Sequence, residues 1–227
     1  MNKLSGKTAL VTGSSRGIGR ATAIGLAREG ALVAVHYARN RQAAQETVEL
    51  IEKDGGRAFA LGAELGVPGD IDQLFRGLEA GLKQHTGQTT LDIFVNNAAE
   101  TSTGTAPEEV SAEEFAKTFA VNVKAPFFIT QRALGLIPDG GRVINISSGL
   151  TRVANPAQSV YSMTKGALEQ LTLHLARHLA PGRSRSGDHG QQCAPRHHRQ
   201  RERVLQDPRG PGADVRAVGV QAHRRAG

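Results

Sequence analysis

Tyr161 and Lys165 stand four residues apart in the run NPAQSVYSMTKGALEQLTLHLARHLAP. On a helix, positions i and i+4 share a face with Cβ atoms about 5–6 Å apart, so a phenol and an ammonium can converge. Two readings fit that spacing. One is a core ring beside a solvated amine; the other is an acid and the cation that tunes it. A free phenol titrates near 10, and a nearby positive charge lowers that value by favouring phenolate.

A second candidate is TGSSRGIG, residues 12–19, where an apolar run turns into a helical pattern. Gly13 would permit a tight turn, Gly17 a close backbone approach to phosphate, and Gly19 close packing of helix on strand. Ser15 and Ile18 belong to the same turn, and the free N–H groups of the helix start would face an anion. The spacing is G-x-x-x-G-x-G rather than G-x-G-x-x-G. A plain turn also collects glycine, but its position directly after a strand points to nucleotide binding.

The run VHYARN names the nucleotide. An NAD site usually ends its second strand with an acid that accepts from the ribose 2′-OH. Tyr37 stands there instead, followed by Arg39, and Arg16 in the glycine turn is a further cation able to meet a 2′-phosphate. The expectation is NADP, against two merely solvated arginines.

The elements that must carry these groups alternate. TALVT (8–12), LVAVH (32–36), AFALG (58–62), LDIFVN (91–96) and RVINIS (142–147) read as buried strands. Helical patterns fall at residues 18–26, 41–54 and 70–84, at 111–134 behind a Ser111/Glu114 capping box, and at 159–179. Strands separated by helices predict right-handed crossovers and a parallel sheet covered on both faces.

The chain has 227 residues, enough for one large α/β domain. Its single cysteine, Cys193, excludes an internal disulfide framework and suits a reducing compartment. With no apolar run of spanning length and no signal-peptide core, the expected location is cytoplasmic, away from membranes. The net charge of +7 divides unevenly: residues 1–181 carry +1 and residues 182–227 carry +6. The basic tail lacks the aromatic residues that stack on nucleic acid, so no nucleic-acid partner is expected. Cys193, His197 and His198 lie close together but lack a zinc-ligand spacing, and no metal site is expected.

TGSSRGIG, NNAA at 96–99, VNV around Asn122, NISS at 145–148 and YSMTK occur together in this order. In that order and spacing the chain resembles the short-chain dehydrogenase/reductase family over residues 6–181, most of all its 3-oxoacyl-carrier-protein reductase-like members. One departure is Ala99, where the family pattern NNAG has glycine. The resemblance implies a Rossmann-type doubly wound parallel sheet flanked by helices. It implies Tyr161 as general acid or base and Lys165 as the cation that tunes it and holds the nicotinamide ribose. By the same resemblance Ser148 would hydrogen-bond the substrate carbonyl, and Asn122 would steady a water linking Lys165 to solvent. Asn96 and Ala98 would line the cofactor. Glu64 would lie near the adenine, with a solvated loop carboxylate as the other reading.

Residues 182–227 depart from the pattern. After HLAP the family continues with an apolar sixth strand, whereas residues 182–205 hold six arginines and three histidines with scarcely any aliphatic residue. Burying such charges unpaired costs several kcal/mol each, by order of magnitude, so this stretch is not expected to form that strand. The sheet edge beside the last helix would then lack cover. Only ADVRAVGVQA reads as strand. A divergent lid, a disordered basic tail and a reading-frame change remain open, and the abrupt shift in composition favours the last.

Residues 1–181 are thus expected to form a dinucleotide-binding and catalytic domain, and 182–227 an atypical tail. The expected activity is hydride transfer between NADP(H) and a small carbonyl or secondary alcohol, in a homo-oligomer (dimer or tetramer). The alternative is a nucleotide-binding protein impaired in catalysis by loss of its C-terminal substrate region.

Overall fold

Short runs of β-branched and small apolar residues, closed by glycine or a charged turn, form strands buried on both faces. They are β1 (Thr8–Val11), β2 (Leu32–Tyr37), β3 (Arg57–Gly62), β4 (Ile93–Asn96) and β5 (Arg142–Ile146). All five pair in parallel, in the spatial order β3-β2-β1-β4-β5. Between them run α1 (Gly17–Arg28), α2 (Arg41–Lys53) and α3 (Asp70–Thr86), then α4 (Ala112–Phe119) and α5 (Ala125–Ala133). The helix α6 (Ser159–His178) follows β5. This computed structural model describes residues 2–101, 105–179 and 217–221.

Alternation along each strand sorts side chains into two cores. Ala9 and Val11 of β1, with Val33, Val35 and Val95, pack under α1 and α2 against Ala23, Ala27, Val48 and Ile51. Leu10 and Phe94 face the other way, onto Leu74, Phe75 and Leu78 of α3 and Ile129 of α5. The doubly wound Rossmann-type arrangement expected from the sequence is therefore present. Strand order reverses between β1 and β4, and the crevice at their carboxyl ends is where such sheets bind ligands.

Two features differ from expectation. The stretch read as one helix over 111–134 is α4 and α5 joined by a π-helical turn, Ala120–Lys124. Pro126 has no N–H to offer the carbonyl four residues back, and the Ala125 N–H instead reaches Ala120 O, five residues back. The second difference is at the sheet edge. A sixth strand, β6 (Ala217–Gln221), pairs antiparallel with β5, Arg142 opposite Gln221 and Ile146 opposite Ala217. The edge expected to be bare is covered by the one strand-like stretch of the tail. Residues 182–205, with Cys193, His197 and His198, lie outside the described residues. Among those described, no helix is long and apolar enough to cross a membrane.

Phe94, fully buried at the centre of the sheet, anchors the α3/α5 core. Replacement by alanine should destabilise the fold by about 3–5 kcal/mol. Urea denaturation followed by circular dichroism would measure this, and a cost under about 1 kcal/mol would contradict the packing described.

Candidate active site

The glycine turn sits on the crevice. Gly13 and Gly17 adopt φ of +64° and +56°, the left-handed region that side chains disfavour. Gly19 meets a different constraint: a Cβ there would collide with the Gly13 carbonyl oxygen and the Asn97 side-chain amide. The turn read at Gly13 and the close packing read at Gly19 are thus present in the backbone. α1 starts at Gly17 behind Arg16, with no side-chain cap on its first N–H groups. A negatively charged group seated there would meet free donors and the positive end of the helix.

Several hydrogen bonds hold the turn. Asn97 Nδ2 donates to Thr12 O at 2.8 Å, and Thr12 Oγ1 accepts from the N–H groups of Asn97 and Ala98, each at 3.0 Å. Arg20 on α1 donates to Ser15 O at 2.6 Å and to Ala43 O at 3.1 Å. His36 lies directly beneath. Its Nδ1 accepts from the Gly13 N–H and its Nε2 bonds Ala63 O, each at 2.9 Å. Burial lowers its pKa from 6.5 to about 4. The imidazole is therefore neutral at ordinary pH, which leaves Nδ1 free to accept.

From this turn a cleft of about 1220 Å³ extends past Arg16, Arg39 and Glu64 at one end to Ser148, Tyr161 and Lys165 at the other. Gly13, Ser15, Gly17, Ile18, Gly19 and Ala98 also line it, as expected. Arg39 is ion-paired with Glu64, whereas Arg16 makes no ion pair among the described residues. Ala99 lines the cleft with a negative φ, so this backbone admits alanine where the family pattern has glycine.

Three expected residues do not line the cleft. Tyr37 turns its ring onto Gly62, because alternation along β2 sends His36 and Ala38 toward the crevice instead. Asn96, the last residue of β4, points into the protein and donates to Thr130 Oγ1 and Asn145 Oδ1, at 3.2 and 2.8 Å. The residue beyond the strand end, Asn97, takes the cleft position. Asn122 is buried in the π turn. Its side chain accepts from Glu100 N at 2.7 Å and donates to Glu100 O at 2.8 Å and to Thr164 Oγ1 at 3.1 Å. It therefore clamps the strand that leaves β4 and abuts the helix turn before Lys165.

At the far end, α6 brings Tyr161 and Lys165 to the tip of β5. Lys165 Nζ donates to Ile146 O at 2.8 Å and sits 5.5 Å from the centre of the Tyr161 ring. Burial lowers its pKa to about 8. Burial pushes the Tyr161 phenol above its ordinary value, while a hydrogen bond from Ser148 pulls the other way. The net shift of the phenol is upward, so burial outweighs the influences that favour phenolate. The ammonium spends its hydrogen bond on a main-chain carbonyl, and desolvation governs both groups. A phenol that keeps its proton is suited to donate it.

Residues 7–183 match the family model for the short chain dehydrogenases. The chain belongs to the short-chain dehydrogenase/reductase family. Among solved structures, the promiscuous reductase LugOII, which catalyses keto-reduction at C1 during lugdunomycin biosynthesis, is 68% identical with a TM-score of 0.79; the match covers 80% of this chain and 75% of that one. The landomycin C-6 ketoreductase LanV, bound to NADP and rabelomycin, is 66% identical with a TM-score of 0.77, over 78% and 72% of the two chains. Elsinochrome reductase 1 of Elsinoe fawcettii is 43% identical over 170 residues, 74% of this chain and 61% of its own length. The reductase character implied by the sequence agrees with these relatives, and NADP is the cofactor in the LanV crystal.

His36 was not among the residues singled out from the sequence; its only signal there is a polar side chain ending an apolar strand. Its buried neutrality carries a pH signature. Above pH 6.5 neither folded nor unfolded chain protonates it; as pH falls toward about 4 the unfolded chain gains the proton first, so stability is lost through that window. The loss is expected to approach about 3 kcal/mol. A His36→Gln variant, lacking that proton site, should show a correspondingly shallower fall in urea denaturation; an equal slope would remove His36 as the cause.

Proposed function

We propose that the protein is an NADP-dependent ketoreductase in which Tyr161 protonates the carbonyl oxygen of an angucycline-type ketone. The observation that carries this reading is the meeting of Ser148, Tyr161 and Lys165 at one end of the cleft that begins at the glycine turn. Bound NADPH supplies a hydride to the carbonyl carbon. Ser148 and Tyr161 hold the oxygen, and the phenol transfers its proton to it as negative charge develops there. Lys165, while charged, stabilises the phenolate left behind. Leu150 and Val153 give the wall beside Ser148 an apolar character that suits a broad, flat substrate. The substrate class rests on the likeness to LugOII and LanV.

At the other end, the free N–H groups of α1 and the Arg16 guanidinium suit the pyrophosphate and 2′-phosphate. Arg39 is shared with Glu64, so that cation is partly neutralised. Phe115, Phe127 and Phe128 stand 40–46% exposed on α4 and α5, and they support self-association as a homo-oligomer, which light scattering would test.

Fluorescence titration should give tighter binding of NADPH than of NADH. Arg16→Ala should reduce that preference and Glu64→Gln, which frees Arg39, should raise it several-fold. Equal affinities for both dinucleotides in the unaltered protein would defeat the NADP reading.

Tyr161→Phe should bind NADPH normally and lose roughly 10²–10⁴ in carbonyl reduction. In the unaltered protein kcat/KM should fall as pH rises through about 8, where Lys165 gives up its charge. Near-normal turnover by Tyr161→Phe would overturn the assignment. NADPH binding with no reduction by the unaltered chain would favour a binding role instead.

A further inference from the structure

Glu169 lies on α6 one turn beyond Lys165 and two beyond Tyr161, on the same face. Its carboxylate is only 20% exposed and faces the segment that carries Ser148. One oxygen, Oε1, accepts from Ser147 Oγ at 2.7 Å and from Thr151 Oγ1 at 2.8 Å. The other, Oε2, lies 3.7 Å from the Arg152 guanidinium. Ser147 precedes Ser148, and Thr151 and Arg152 follow it after a single 3-10 turn, Gly149–Thr151. The contacts therefore bracket Ser148 on both sides. The remaining bonds of the turn are internal to the segment. Ser148 Oγ accepts from Leu150 N at 3.2 Å, Ser148 O from Thr151 N at 3.3 Å, and Gly149 O from Arg152 N and Val153 N at 2.9 and 3.1 Å. The one Thr151 Oγ1 proton is shared between Glu169 Oε1 and Ser148 O, the latter at 2.9 Å.

We infer that Glu169 is a positioning residue: by gripping Ser147, Thr151 and Arg152 it sets where Ser148 stands relative to Tyr161. The helix that carries the proton donor thereby also fixes the group that hydrogen-bonds it. The two partners of the reaction cannot drift apart without breaking the Glu169 contacts. A partly buried carboxylate that accepts from two hydroxyls makes charge-assisted hydrogen bonds, stronger than neutral ones, and the Arg152 guanidinium adds an ion pair. The charged groups adjoining this unit are Lys165, over the Tyr161 ring, and Arg152, beside Glu169. The inference rests on the proposed pairing of Ser148 with Tyr161, and the test below needs no turnover.

The chain has two tyrosines and no tryptophan, so in a Tyr37→Phe background the phenolate absorbance near 295 nm reports Tyr161 alone. The Ser148 hydrogen bond favours the phenolate, so loosening Ser148 must raise the midpoint of that titration. Glu169→Ala should move it up by about half a unit to one unit, the worth of one hydrogen bond. Ser148→Ala should do the same, and the double variant should add nothing further. Glu169→Gln, which keeps an acceptor for both hydroxyls, should restore most of the original midpoint. Ser147→Ala, which deletes one Glu169 contact while leaving α6 and the bonds inside the turn in place, should give a smaller rise and decides the matter if Glu169→Ala does not fold. An unchanged midpoint in folded Glu169→Ala, or in Ser147→Ala if that variant must decide, overturns the inference. So do additive effects of Glu169→Ala and Ser148→Ala.

Discussion

The site depends on how α6 is docked onto the end of β5. Four consecutive residues there each meet a different turn of the helix. Asn145 donates to Thr172, Ile146 accepts from Lys165, Ser147 donates to Glu169, and Ser148 bonds Tyr161. The donors and acceptors run in near-reverse order along the helix, as they must where a helix returns across a strand end. A ladder of polar contacts in a buried seam is costly if incomplete, because an unmade hydrogen bond there is not replaced by water. That cost is what gives the seam a single register. The same contacts that dock the helix therefore place the Tyr161 phenol.

Burial in that seam also sets the protonation states. Desolvation raises the phenol and lowers the lysine, so each is pushed toward its uncharged form. For a proton donor this is favourable, since the proton is held until a developing oxyanion draws it off. Below about pH 8 the lysine still carries its charge, so a cation stands near the phenol. Burial, more than the pairing of the two side chains, sets both shifts.

At the opposite end the governing constraint is backbone crowding. α1 approaches the glycine turn so closely that a Cβ on Gly19 has no room, and Thr12, Asn97, Arg20 and His36 each hold part of that turn through main-chain atoms. The π turn makes a comparable clamp beside it, where Asn122 binds both main-chain groups of Glu100. A dinucleotide site of this kind is a rigid main-chain surface, with side chains acting mostly from behind.

Much of this was legible from residue types alone. Strand and helix order followed from short continuous apolar runs and from stripes of period 3.6, because both patterns report burial directly. The glycine turn and the 161/165 pair were visible because their chemistry depends on local spacing, as did the neutral body and basic tail. What lay beyond reach depended on direction and partner. The chain does not state that β2 turns Tyr37 onto Gly62 while His36 goes under the glycine turn, nor that β4 buries Asn96 and leaves Asn97 in the cleft. It does not reveal that Pro126 makes a π turn of one expected helix, or that Ala217–Gln221 returns to cover β5. Glu169 reads in sequence as one more helical carboxylate. Only the docking of α6 on β5, a contact between segments 17–22 residues apart, gives it three partners around Ser148.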